Sequence, residues 1–245
     1  MAKKEIIVVG PHSANVAFQY HPLNIISVFI DKQSSHQAAW CAKCAEVGIT
    51  PMLSKKSTLD TLSSDVSHQG IILKLKMDAF SESDLLSLIS KLESPPLILI
   101  LDGIHDPHNL GACLRSAEAF GATAVVTPSH DSVGLTPAVS KAACGAEQLI
   151  PLITVKNITR FIESIQKLNI WVAGLSADAS KTLNQLDATG PLALVMGQEG
   201  RGIRPLTEKK CDWLARIPMQ GCTASLNLSA SASISLYEVS RQRGN

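Results

Sequence analysis

Three short segments in the second half of the sequence gather carboxylate, amide, hydroxyl and guanidinium side chains at the ends of apolar runs. The first, residues 101–122, closes a buried run with Asp102-Gly103 and leads through a polar loop to Asn109 and Arg115. Asn109 is placed to cap the following helix through its side-chain oxygen. Arg115 falls off that helix's apolar stripe, so it either reaches into a cleft or pairs with Glu118 one turn on; spacing alone favours the surface pair. The second segment, residues 192–203, is an apolar run opening into Gly197, Gly200 and Gly202 around Glu199. Glycines permit close backbone approach to a ligand or a positive φ, and a plain tight turn needs them equally. A carboxylate between glycines is, however, poor core material. The third, residues 215–243, carries Ser225-Leu226-Asn227 ahead of a helix rich in Ser and Ala, suited to close packing or to a tolerant surface. His105 and His108 flank Asp106, but no further ligand cluster accompanies them, and no metal is expected.

These segments need strands and helices to hold them. Residues 97–101, 124–126, 170–173, 192–196 and 214–217 are short, nearly continuous apolar runs of the kind that form buried parallel strands. Between them, residues 110–120 and 157–168 repeat apolar positions at helical spacing. Such alternation predicts a doubly wound α/β domain over 97–245, with polar loops at the strand ends where ligands bind. Earlier in the chain, strands at 5–9 and 25–30, helices at 13–20 and 35–47 and an apolar run at 70–75 predict a small α/β domain over 1–76. The polar stretch and the Ser94-Pro95-Pro96 breaker within 77–96 read as a linker.

Composition narrows the function classes. The chain has 245 residues, 45% of them hydrophobic, enough for a substantial core. No apolar run approaches the roughly 20 residues that span a bilayer, and a cytoplasmic location is expected. Six scattered cysteines in that setting predict thiols and no disulfide framework; Cys41 and Cys44 form a lone CxxC that reads as part of a helix. A net charge of +1 makes no global case for nucleic acid, although residues 1–76 carry +3 and the remainder −2. That asymmetry makes the first domain the better candidate for phosphate contacts. No GxGxxG or Walker A motif occurs, which argues against a nucleotide-dependent oxidoreductase.

In their order, the three segments resemble the signature blocks of the SpoU, or TrmH-like, branch of the SPOUT RNA methyltransferases. The first block matches as D-x-x-x-D-P-x-N-x-G-x-x-x-R from Asp102 to Arg115, the second as VMGxEGxG, the third as IPM followed by SLN. His68 to Ile71, reading HQGI, and the small leading domain are similar to the subfamily that methylates a guanosine ribose in the P loop of 23S ribosomal RNA. The resemblance implies an L30e-like RNA-binding domain followed by a SPOUT domain whose C-terminal chain is tied in a trefoil knot. It implies S-adenosyl-L-methionine held near Met196, Gly197, Ile217, Pro218, Met219 and Leu226. Arg115, Asn109, Glu199, Ser225 and Asn227 would be the active-site residues, Arg115 the essential one. It further implies ribosomal RNA as partner, a homodimer built in part by the C-terminal helix, and, as alternatives, another rRNA or tRNA nucleotide as target, or a non-catalytic RNA-binding or ribosome-assembly factor that keeps the fold, distinguished by whether the chain binds a cofactor.

Overall fold

The computed structural model describes residues 2–223 and 225–244. They divide into two compact units, one comprising residues through Ala79 together with Gly134–Leu149, the other Phe80–Val133 and the chain from Ile150 onward.

The first unit contains β1 (Ala2–Val9), α1 (Pro11–Tyr20), β2 (Ile25–Asp31), α2 (Gln37–Glu46), β3 (Met52–Ser54), α3 (Lys56–Leu62) and β4 (Ile71–Ala79). Its sheet runs β1-β4-β2-β3, antiparallel except for β2 with β3. Alternation sends Ile6, Val8, Val28, Ile30, Leu73 and Leu75 into one core with Ala14 and Ala17 of α1. Trp40 and Cys44, four apart on α2, complete it. Cys41 and Cys44 thus sit on a helix as expected, and burial, with a smaller push from Cys41, raises the Cys44 thiol to about 11. Among the described residues no two cysteines form a disulfide, and no group of three His, Cys, Asp or Glu could hold a metal.

Gly134–Leu149 enters this unit through α6 (Pro137–Ala143), although the sequence places it in the second half. Its polar side chains turn inward. Ser140 Oγ accepts from Val9 N at 3.4 Å and donates to Glu147 at 2.7 Å; Gln148 Nε2 donates to Ser13 O at 2.9 Å. Glu147 is 7% exposed, and burial raises its carboxyl above the ordinary value despite the donors around it.

The second unit contains α4 (Glu82–Ile89), β5 (Leu97–Asp102), α5 (Pro107–Ala119), β6 (Ala124–Pro128), β7 (Leu152–Val155), α7 (Ile158–Gln166) and β8 (Trp171–Leu175). It continues with β9 (Lys181–Thr182), β10 (Leu192–Gly197), α8 (Pro205–Glu208), β11 (Trp213–Arg216) and α9 (Leu228–Gln242). The seven strands are all parallel in the order β7-β6-β5-β10-β8-β11-β9. This is the α/β sheet expected from the apolar runs. Every residue of β5 is buried, as befits a central strand covered on both faces. Asn157 caps α7, which buries Ile158, Phe161, Ile162 and Ile165 against the sheet. At the end of α9, Arg243 donates to the carbonyls of Pro95, Pro96, Ala188 and Gly190, fastening the last helix to two connections.

Two local readings change. Within 77–96, read as a linker, β4 extends to Ala79 and α4 forms behind a Ser81–Asp84 capping box. Leu85 and Ile89 of α4 are buried in the second core, a short amphipathic contact that flanking Ser and Pro residues disguise. Asn109 is not the cap of α5. Asp106 takes that role, accepting from His108 N at 2.9 Å with Pro107 in the first turn, and Asn109 lies inside the helix.

Candidate active site

β5 and β10 lie side by side with Asp102 opposite Gly197, and the chain leaves β5 for strands on one side while β10 and β8 fill the other. That is a topological switch point, where strand ends leave a crevice. Beyond β10 the chain closes a tight loop. Gln198 N donates to Gly202 O at 2.9 Å and Gly202 N to Gln198 O at 2.8 Å, with Gly200 and Gly202 at φ of 76° and 70°. A Cβ on Gly197 would lie 1.9 Å from the Gly202 carbonyl carbon, so only glycine closes this loop. Past it, Ile203 drops into the core and Arg204 turns back to Asp102, which is 1% exposed. Arg204 donates its backbone N–H at 3.1 Å and Nε at 2.8 Å to that carboxylate, with Nη2 also in contact. Hydrogen bonding to Asp102 raises the Arg204 guanidinium above its ordinary value.

Glu199 stands at the loop tip. Asn109 Nδ2 donates to its Oε2 at 3.3 Å and Asn227 Nδ2 to its Oε1 at 3.0 Å, while Asn227 Nδ2 also meets Asn109 Oδ1 at 3.0 Å. Residues 90 and 118 positions from Asn109 are thereby joined in one triangle. Asn227 is also the cap of α9, its Oδ1 accepting from Ser229 N at 2.9 Å, so the helix terminus fixes the amide that holds Glu199. Arg115 is exposed on α5, six residues beyond Asn109 and about 9 Å along the helix axis.

Below Glu199 lies a cleft of about 430 Å³, within the range of small-molecule sites. Of the residues expected to hold a cofactor, Met196, Gly197, Ile217, Met219 and Leu226 line it, and Pro218 does not. Glu199 and Ser225 line it as well, whereas Asn109, Arg115 and Asn227 lie outside the lining. Apolar walls from Leu175, Met196 and Ile217 suit a flat base, and the carboxylates of Asp178, Glu199 and Glu208 beside the guanidiniums of Arg201 and Arg216 suit a ligand carrying both signs of charge. That lining fits S-adenosylmethionine, a purine nucleoside bearing a sulfonium, an ammonium and a carboxylate. Asp178, Glu208 and Arg204 escaped the sequence reading. Arg216, also unread, donates to Ala179 O and Ser180 O and fixes the loop that carries Asp178.

The SpoU rRNA Methylase family profile matches residues 96–237, and a profile for RNA 2'-O ribose methyltransferase substrate binding matches 7–81. The chain belongs to the SpoU rRNA methylase family. A 23S rRNA (guanosine-2'-O-)-methyltransferase RlmB from Coxiella burnetii is 42% identical over 96% of this chain and 95% of that protein. RlmB of Pseudomonas putida is 40% identical over 96% of each. Among solved structures, the SpoU methyltransferase AviRb from Streptomyces viridochromogenes in complex with AdoMet superposes with a TM-score of 0.80. It covers 98% of this chain and 90% of its own at 21% identity, a likeness of fold. This SpoU methylase is accordingly an RNA methyltransferase.

Proposed function

We propose that this SpoU methylase transfers a methyl group to the ribose 2'-hydroxyl of a guanosine in the P loop of 23S ribosomal RNA. The observation that carries the reading is the triangle of Asn109, Glu199 and Asn227 at the mouth of the cleft, three side chains from three sequence blocks. Identity of 42% and 40% over nearly the full length to RlmB proteins named for 23S rRNA guanosine supports the substrate.

Bound S-adenosylmethionine supplies an electrophilic methyl group. The chain's own task is to align and activate the attacking oxygen, because an in-line displacement tolerates little misplacement. A ribose hydroxyl is a weak nucleophile until its proton leaves. Glu199, with Asn109 and Asn227 donating to its oxygens, is held to receive that proton directly or through a water. Arg115, which brings a planar guanidinium of five N–H donors, anchors the adjacent phosphate and stabilises developing alkoxide charge. Ser225, on the cleft wall, orients the ribose.

The first unit binds the RNA, in keeping with the substrate-binding profile over 7–81 and the +3 charge of residues 1–76. A second copy covers the exposed face of α9, where Ile234 and Tyr237 stand out at 40% and 54% exposure, and the C-terminal chain carries the family knot. The enzyme works in the cytoplasm, where ribosomal RNA is found. Arg115→Ala is expected to abolish methylation of a 23S rRNA transcript while calorimetric affinity for S-adenosylmethionine stays within about threefold. Retained turnover would sink the assignment, and sedimentation of a fully active monomer would remove the dimer.

A further inference from the structure

Asp102 and Arg204 lie outside the cleft lining, yet both elements that meet at Glu199 are rooted on them. From Asp102 only residues 103–106 intervene before α5, which presents Asn109. That short connection is itself fixed, with Gly103 N donating to Leu101 O at 2.9 Å and Ile104 N to Asp131 O at 3.1 Å. From the other direction, the loop bearing Glu199 is held at its start by the Asp102–Gly197 register and at its end by Arg204. One buried carboxylate thus carries the helix of Asn109 through the chain and the loop of Glu199 through an ion pair. Arg204 also approaches Asp131 at 3.9 Å, on the segment that braces Ile104.

As a stabilising contact the pair is an indifferent choice. The Asp102 side chain is completely buried, and the desolvation of that ion offsets much of its attraction to the half-exposed Arg204. What a guanidinium on a carboxylate offers in addition is orientation, because its planar fork accepts only a narrow range of approach. We propose that Asp102 and Arg204 are positioning residues for methyl transfer, fixing the Glu199 loop against Asn109 so that the proton acceptor stands in register with the attacking hydroxyl. This rests on the proposed role of Glu199.

The test uses the full-length enzyme, a 23S rRNA transcript and S-adenosylmethionine, with Arg204→Ala, Arg204→Lys, Asp102→Asn, the Asp102→Asn/Arg204→Ala double variant and Glu199→Gln. Arg204 is half-exposed, so its variants keep the test alive should Asp102→Asn fail to fold. Arg204→Ala is expected to lower kcat about a hundredfold, the cost of a displacement near an ångström at the reacting groups. The KM for RNA should stay within about threefold, and the Kd for S-adenosylmethionine, whose cleft residues 198–203 help to line, should rise by much less than kcat falls, a split that general loosening of the fold would not give. Arg204→Lys, with the charge but not the fork, should recover part of kcat, and the double variant should be no worse than Arg204→Ala, since both break one interaction. An unchanged kcat in Arg204→Ala beside a crippled Glu199→Gln overturns the positioning role and leaves Glu199 standing. Full activity in Glu199→Gln instead overturns the reading of the site. Additive losses in the double variant, or parallel loss of kcat and cofactor affinity, also count against the pair.

Discussion

Each of the two units buries a carboxylate, and the two are held in opposite ways. Glu147, in the first unit, is 7% exposed and, among the described residues, draws on neutral donors that include Ser140 Oγ at 2.7 Å, Gly145 N at 3.0 Å and Gln148 Nε2 at 3.4 Å. Burial therefore dominates and its carboxyl is raised. Asp102, in the second unit, is 1% exposed but faces the guanidinium and backbone N–H of Arg204. The first arrangement cements a segment into a core. The second holds a loop at the mouth of a cleft, where a fixed direction is worth more than the net stability of the contact. The same residue class thus serves packing in one unit and alignment in the other, and its partners reveal which.

The largest break in that contrast should come at Gly197. Gly197→Ala places a methyl group on the Gly202 backbone, so the loop cannot close, and both cofactor binding and turnover should fall by at least about a hundredfold in calorimetry and methylation assays. Asn227→Ala comes next. It removes the α9 cap and one donor to Glu199 together, so a loss of about 1 kcal/mol in urea unfolding should accompany a drop in kcat of about tenfold or more. A drop in stability with full turnover would reduce Asn227 to a cap.

The smallest effect sharpens the first half of the comparison. Because the folded Glu147 carboxyl titrates above its ordinary 4.5, the folded chain keeps a proton that the unfolded chain has released once pH passes that value. Its contribution to stability is fully present below 4.5 and is lost as pH rises through the raised folded value. Glu147→Gln, which carries no titrating proton, should flatten the fall of unfolding free energy above that pH. A profile identical to that of the unaltered chain would show that neutral donors suffice to keep Glu147 ionised.

Much of the second unit was legible because buried parallel strands are written as continuous apolar runs, and five of its seven strands declare themselves in that way. β7, interrupted by the exposed Thr154, and β9, two residues long, did not. Glu199 was legible as a carboxylate between glycines that core packing does not explain, and Asn227 through the resemblance of Ser225-Leu226-Asn227 to the third signature block. Asn109 drew notice for the wrong local reason, since Asp106-Pro107 makes the stronger helix start and releases Asn109 to reach Glu199. Arg204 gave no signal, because its partner lies 102 residues away and neither periodicity nor spacing records such a pair. Gly134–Leu149 was unreadable for a related reason. Ser140, Glu147 and Gln148 look like a solvated face until Val9 and Ser13 are brought beside them.

The most direct test of the whole account is to incubate the full-length chain with labelled S-adenosylmethionine and unmodified 23S rRNA or transfer RNA, then map the modified nucleotide. The account predicts a single 2'-O-methylguanosine in the P loop of 23S rRNA, absent with Arg115→Ala. Label confined to transfer RNA, or a methyl group on a base, would contradict it.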